Sequence, residues 1–122
     1  MRINTTMPSQ LNKFFQKELA QAETLFQQNN FFQSWQHLER AHILGQPYPY
    51  HHSLVHWRML LFGIKTKNTR EIIGQVPRLL VGGVKSFVGV VPVGNTGGAN
   101  VPPLQAMPIP DELQKIIEQA QH

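Results

Sequence analysis

HLERAHILGQPYPYHHSLVHWRM, residues 37–59, decides how this chain is read. Five of the chain's six histidines (His37, His42, His51, His52 and His56) lie in it, and it divides at Pro47-Tyr48-Pro49. Proline fixes φ and disfavours helix in the residue before it, so Gln46 to Tyr50 reads as a short, stiff turn. Before the turn, Phe31, Trp35, Leu38 and His42 recur at helical spacing, from about Phe31 to Gly45, a glycine suited to ending a helix. After it, from about His51 to Ile64, His52, His56, Met59, Leu60 and Gly63 share one face. That second segment is apolar nearly all round except at Arg58, the pattern of a helix central in its bundle. A link this short makes the two helices antiparallel neighbours.

Working outward, a further helix is expected from about Ser9, read as its N-cap, to about Gln28. Leu11, Phe14, Phe15, Ala22 and Leu25 form its apolar face, and Glu18 lands in the middle of that stripe. Asn29-Asn30 supplies the turn. On the other side, Gly63 and Lys65 to Thr69 break the chain, and a fourth helix is expected from about Thr69 to Phe87. Ile72, Ile73, Val76, Leu79, Leu80, Val84 and Phe87 mark its apolar side, with Lys67, Arg78 and Lys85 opposite as a solvated face. No aromatic residues interleave with those cations, so binding to nucleic acid or a membrane surface is disfavoured. Residues 89–110 hold five prolines and the run GNTGGAN (94–100), whose glycines suit backbone turns of positive φ. They read as an extended arm over the bundle or over a neighbouring copy. Pro110 followed by Asp111 and Glu112 opens a last helix, about 110–121, with an apolar face of Leu113, Ile116, Ile117 and Ala120.

The predicted fold is therefore all-α: a small antiparallel bundle of four main helices, a Pro/Gly-rich arm and a C-terminal helix. At 122 residues and 41% hydrophobic composition it is a single domain, with its helical core at about 9–88. With no cysteine, disulfides, thiolate metal sites and cysteine nucleophiles are excluded. No targeting signal or 20-residue apolar run is recognisable, so a cytoplasmic location is expected. The net charge of +4 is mild.

The polar residues on core-facing stripes carry the chemistry. With the first turn placed at Asn30, Glu18 comes level with His42. With the second placed at Tyr48, His42 comes level with the gap between His52 and His56. The last two stand one helical turn apart, as two imidazoles on one helix must to reach one ion. Glu39 and His42 form a Glu-x-x-His pair of the kind used in metal-carboxylate bundles. The expected site is thus a buried transition-metal centre of Glu18, His42, His52 and His56. Glu39 would be a further ligand or an orienting group, and the ion zinc, iron, copper or nickel. The competing reading is that these residues form a structural polar network that fixes register. No nucleophile-and-base arrangement stands out, so an enzyme is not the favoured reading.

The segments HLERAHILGQ (37–46), HSLVHWRML (52–60), GNTGGANV (94–101) and MPIP (107–110) resemble a small bacterial family of uncharacterised, all-helical proteins. The resemblance spans nearly the whole chain and implies an all-helical fold. It also implies a setting among metal-resistance genes and brings no assigned activity. The first two helices are also similar to a tetratricopeptide hairpin. The expected function is metal handling or an accessory role in metal resistance. The alternative is a tetratricopeptide-like interaction module, with a protein partner or a homodimer formed through the arm at 89–110.

Overall fold

The computed structural model describes residues 6–87, 97–99 and 107–120, without the side chains of 79–87. These residues form five helices and no strand: α1 (Ser9–Gln27), α2 (Phe31–Gly45), α3 (Pro49–Lys65), α4 (Thr69–Phe87) and α5 (Asp111–Ala120). The arm expected at 89–110 lies largely outside the described residues. Each of the first four helices packs on its neighbour in sequence, and α5 returns to α1 and α2.

The turns show why the chain folds back where it does. Asn29 ends α1 in the left-handed region, φ 63°; its N–H donates to Phe26 O, and Asn30 N–H reaches back to Leu25 O. This satisfies carbonyls that a helix end otherwise leaves without partners. The α3–α4 turn repeats the device: Lys67 at φ 58° donates to Ile64 O, and Asn68 N–H to Gly63 O. Asn68 Oδ1 then accepts the Glu71 N–H at 3.2 Å, so Asn68, not Thr69, caps α4. Likewise Pro8, not Ser9, precedes α1. Helix α3 begins two residues earlier than the spacing predicts because Pro49 sits at its first position, where proline's fixed φ is helical and its missing donor costs nothing.

The core is built from Leu11, Phe15, Leu19 and Ala22 of α1, Leu38, Ala41 and Leu44 of α2, and Val55 and Met59 of α3, with Leu113 of α5 fully buried. Gly45 lets the end of α2 lie close against α1, since a Cβ there would stand 2.8 Å from the Phe15 ring. One helix departs from its pattern. Along the described side chains of α4, residues 69–78, the buried stripe is Glu71, Gln75 and Arg78, while Ile73 and Val76, expected in the core, are 68% and 44% exposed. Arg78 is correspondingly not on a solvated face. It donates to Gly74 O at 2.7 Å, and burial pushes its guanidinium pKa down against the opposing pull of Glu71.

Candidate metal centre

Three histidines converge between α2 and α3. His42 Nε2 lies 3.1 Å from His52 Nε2 and 3.1 Å from His56 Nε2, and the last two are 3.0 Å apart. All three rings are 2–3% exposed. His42 meets the other two edge to face and those two are tilted to each other, centroids 4.7–4.9 Å apart, with the Nε2 corners at the common centre. The α2–α3 hairpin has the register that the sequence implies, with His42 facing the space between His52 and His56.

Hydrogen bonds among the three Nε2 atoms cannot satisfy every edge of this triangle. Each nitrogen of a neutral imidazole is either an N–H donor or a lone-pair acceptor. In a closed triangle of three such nitrogens, at least one edge joins two of the same kind. That edge is repulsive, in a setting from which water is excluded.

The state of one ring follows from its neighbours. Gln75 Nε2 donates to Gly97 O at 2.9 Å and Glu71 Oε2 at 3.0 Å, both acceptors only. The amide oxygen must then face His56, where Oε1 accepts the Nδ1–H at 2.6 Å. The neutral His56 ring therefore turns the lone pair of Nε2 toward the centre, the tautomer that a metal ligand needs. Glu71 is anchored in turn, since Oε1 accepts the Ala99 N–H at 2.9 Å. Gly97 lies on the face of the His42 ring with φ +86°. Positive φ was the expected use of the glycines in this loop.

The carboxylates are placed differently from the sequence reading. Glu18 is buried, but its oxygens accept from His37 Nδ1 at 2.7 Å and from Arg40 Nε at 2.9 and 3.0 Å. It does not reach His42; His37 and Arg40 are its partners. The reason is register. Ser34 Oγ donates to Ala22 O at 2.7 Å, which centres the α1–α2 hairpin at residue 28 rather than 30. Counted from 28, Glu18 comes level with residue 38, between its two partners. Glu39 is half-buried and lines an open groove beside α4. Among the described residues, only His42, His52 and His56 bring metal-ligating atoms together with all three residues buried.

Gln75, Glu71 and Gly97 were missed by the sequence reading. The signal was there for two of them: Glu71, Gln75 and Arg78 recur at i, i+4 and i+7, a second stripe at helical spacing.

A family described as a protein of unknown function (DUF3703) matches residues 9–117, which takes in α1 to α4, the loop at 97–99 and most of α5. The chain belongs to the DUF3703 family. No curated protein and no solved structure matches it. The DUF3703 region thus contains every residue of the centre described above. None of the described helices is long and apolar enough to cross a membrane.

Proposed function

We propose that this protein binds a transition-metal ion through Nε2 of His42, His52 and His56, and that its role is metal handling. The observation that carries the reading is the closed triangle of three buried imidazole nitrogens. A cation at their common centre is the one species that accepts all three lone pairs at once. An ion roughly 2.0–2.1 Å from each nitrogen would stand about 1 Å out of their plane, with N–metal–N angles near 97°. That lies between octahedral and tetrahedral, and widening the triangle by about 0.3 Å completes a tetrahedral tripod. Three neutral nitrogen donors suit zinc, copper, nickel or iron and leave the ion's charge to be balanced by a further ligand. Burial of all three rings favours holding an ion over turning over a substrate.

The test is elemental analysis of untagged protein beside a His42→Ala variant. The expected result is one metal ion per chain, lost in the variant. No metal in the wild type, even after incubation with zinc, copper, nickel and anaerobic ferrous iron, would overturn the proposal.

The alternative, a helical interaction module, is favoured by one observation. A groove of about 520 Å³ runs between α2, α3 and α4, walled by Phe31, Phe32, Trp35 and Phe62, and Phe32 is 77% exposed. On that reading the histidines only hold the helices in register. A protein that folds and melts identically with and without metal would favour it.

A further inference from the structure

Beyond the three ligands, the contacts around the centre connect it to a segment distant in sequence. Gly97–Ala99 is tied to α4 at two points, Gly97 O to the Gln75 amide and Ala99 N–H to the Glu71 carboxylate. Two glycines make this approach possible. A Cβ on Gly97 would lie 2.5 Å from His42 Cδ2, and one on Gly74 would lie 2.5 Å from Ala99 Cβ. The segment is therefore nested between α4 and the His42 ring and closes one side of the centre. On the other side of the same contacts, Gln75 holds His56 in its ligating tautomer. One carboxamide thus serves both the ligand and the segment.

We infer that Gln75 and Glu71 are positioning residues that make docking of Gly97–Ala99 and capture of the ion a single linked event. The inference rests on the metal-binding reading above. The ion fixes the imidazole of His56, which fixes the carboxamide of Gln75. The amide N–H groups of that carboxamide are then aimed at Gly97 O and at Glu71, the residue that receives Ala99. Run in reverse, an undocked segment leaves the Gln75 amide held by Glu71 alone, which weakens its hold on His56 Nδ1, and uncovers the face of His42. Coupling between two such events is reciprocal, so whatever the ion adds to docking, docking adds to affinity for the ion.

The experiment uses the full chain with Co²⁺ as the probe, whose visible absorption reports on imidazole coordination. Binding is titrated optically, and amide exchange at Ala99 is followed by NMR with and without the ion. In the wild type, Co²⁺ is expected to slow exchange at Ala99 at least tenfold. Gln75→Leu should weaken Co²⁺ binding by about 10–100-fold, the range for lost outer-sphere partners, and abolish the added protection. Glu71→Gln keeps size and shape but has one acceptor oxygen in place of two. It should weaken Co²⁺ by a factor comparable to the protection lost at Ala99. Stoichiometric Co²⁺ binding with unchanged Ala99 exchange in the wild type would overturn the linkage and leave the metal site standing. So would a folded Gln75→Leu protein that binds within twofold of wild type. A wild type that binds no Co²⁺ overturns both readings together.

Discussion

Replacing Gly97 by alanine puts one methyl group where the structure has least room. Its Cβ would stand 2.5 Å from Cδ2, 2.7 Å from Cγ and 2.8 Å from Nε2 of His42. Ordinary carbon contacts lie near 3.5–4.0 Å, so the overlap is about 1 Å. The ring has little freedom to turn, because its Nε2 corner is held against two other buried imidazoles. Two adjustments remain: the ring withdraws and takes Nε2 off the common centre, or the segment lifts and gives up its bonds to Gln75 and Glu71. Overpacking of this kind costs about 1–3 kcal/mol, and alanine at φ +86° adds roughly 1 kcal/mol. Gly97→Ala should therefore lower unfolding free energy by about 2–4 kcal/mol in urea titrations of metal-free protein. Because either adjustment disturbs a ligand or its support, Co²⁺ or Zn²⁺ affinity should fall at least about tenfold. A variant within about 0.5 kcal/mol of wild type that binds metal equally well would refute the close packing of Gly97 on His42.

Metal should stabilise the fold. With free ion at about 100 times its dissociation constant, the gain is about 2.7 kcal/mol, or roughly 10 °C in Tm for a domain of this size. It should fade in melting curves taken at progressively lower pH, because the ligands bind the ion as neutral imidazoles. Arg40 links Glu18 of α1 to Glu112 of α5, at 2.9 Å and 2.5 Å respectively. Arg40→Ala strips a buried carboxylate of its cation and should cost about 2–3 kcal/mol, whereas Glu112→Ala, at the exposed end, should cost under about 1 kcal/mol. Equal costs in denaturant unfolding would contradict this assignment. His51 packs edge-on against Phe15 and faces Asn12 Oδ1 at 3.2 Å, and burial pushes its pKa below the usual 6.5. Below about pH 6.5 the unfolded chain then binds more protons at His51 than the folded one, so stability falls as the pH is lowered toward the folded pKa. His51→Gln should flatten part of that acid slope, and an unchanged slope would assign it to other groups.

What could be read from the sequence was set by how local each feature is. The bounds expected at Phe31–Gly45 and at about 110–121 fall within one residue of α2 and α5 because their stop and start residues, Gly45 and Pro110, act within one turn. The trio His42, His52 and His56 was legible because Pro47 and Pro49 pin the second turn, so counting from Tyr48 gives the true register. The first hairpin has no such pin. Its turn is made by Asn29 in the left-handed region, and an error of two residues in placing its centre moves the partner level with Glu18 by four residues, about one helical turn, to the neighbourhood of His37 and Arg40. Ala22 and Ser34, joined by the Ser34 hydroxyl, mark the true register but carry no signal as separate letters. Gly97 could be expected to take positive φ, but nothing in a run of small residues says which side chain will lie under it.

The inward face of α4 is the feature hardest to explain by stability alone. Among the described side chains of this helix, residues 69–78, the apolar Ile73 and Val76 are exposed while Glu71, Gln75 and Arg78 are turned inward. Burying a carboxylate and a guanidinium costs several kcal/mol unless partners meet them. The partners met here are specific. Glu71 receives Gln75 and Ala99, Gln75 receives His56 and gives to Gly97, and Arg78 gives to Gly74 O beside the segment. Each of these contacts leads within two steps to the three histidines or to the segment that covers one of them. Local preference and tertiary placement conflict along this one helix, and such conflicts gather where a fold serves a site rather than its own packing. The same reasoning applies to the histidines. Three buried nitrogens that cannot all satisfy one another are a poor way to hold α2 against α3. They are a good way to hold a cation, and the polar face of α4 is placed to keep one of them in the form that does so.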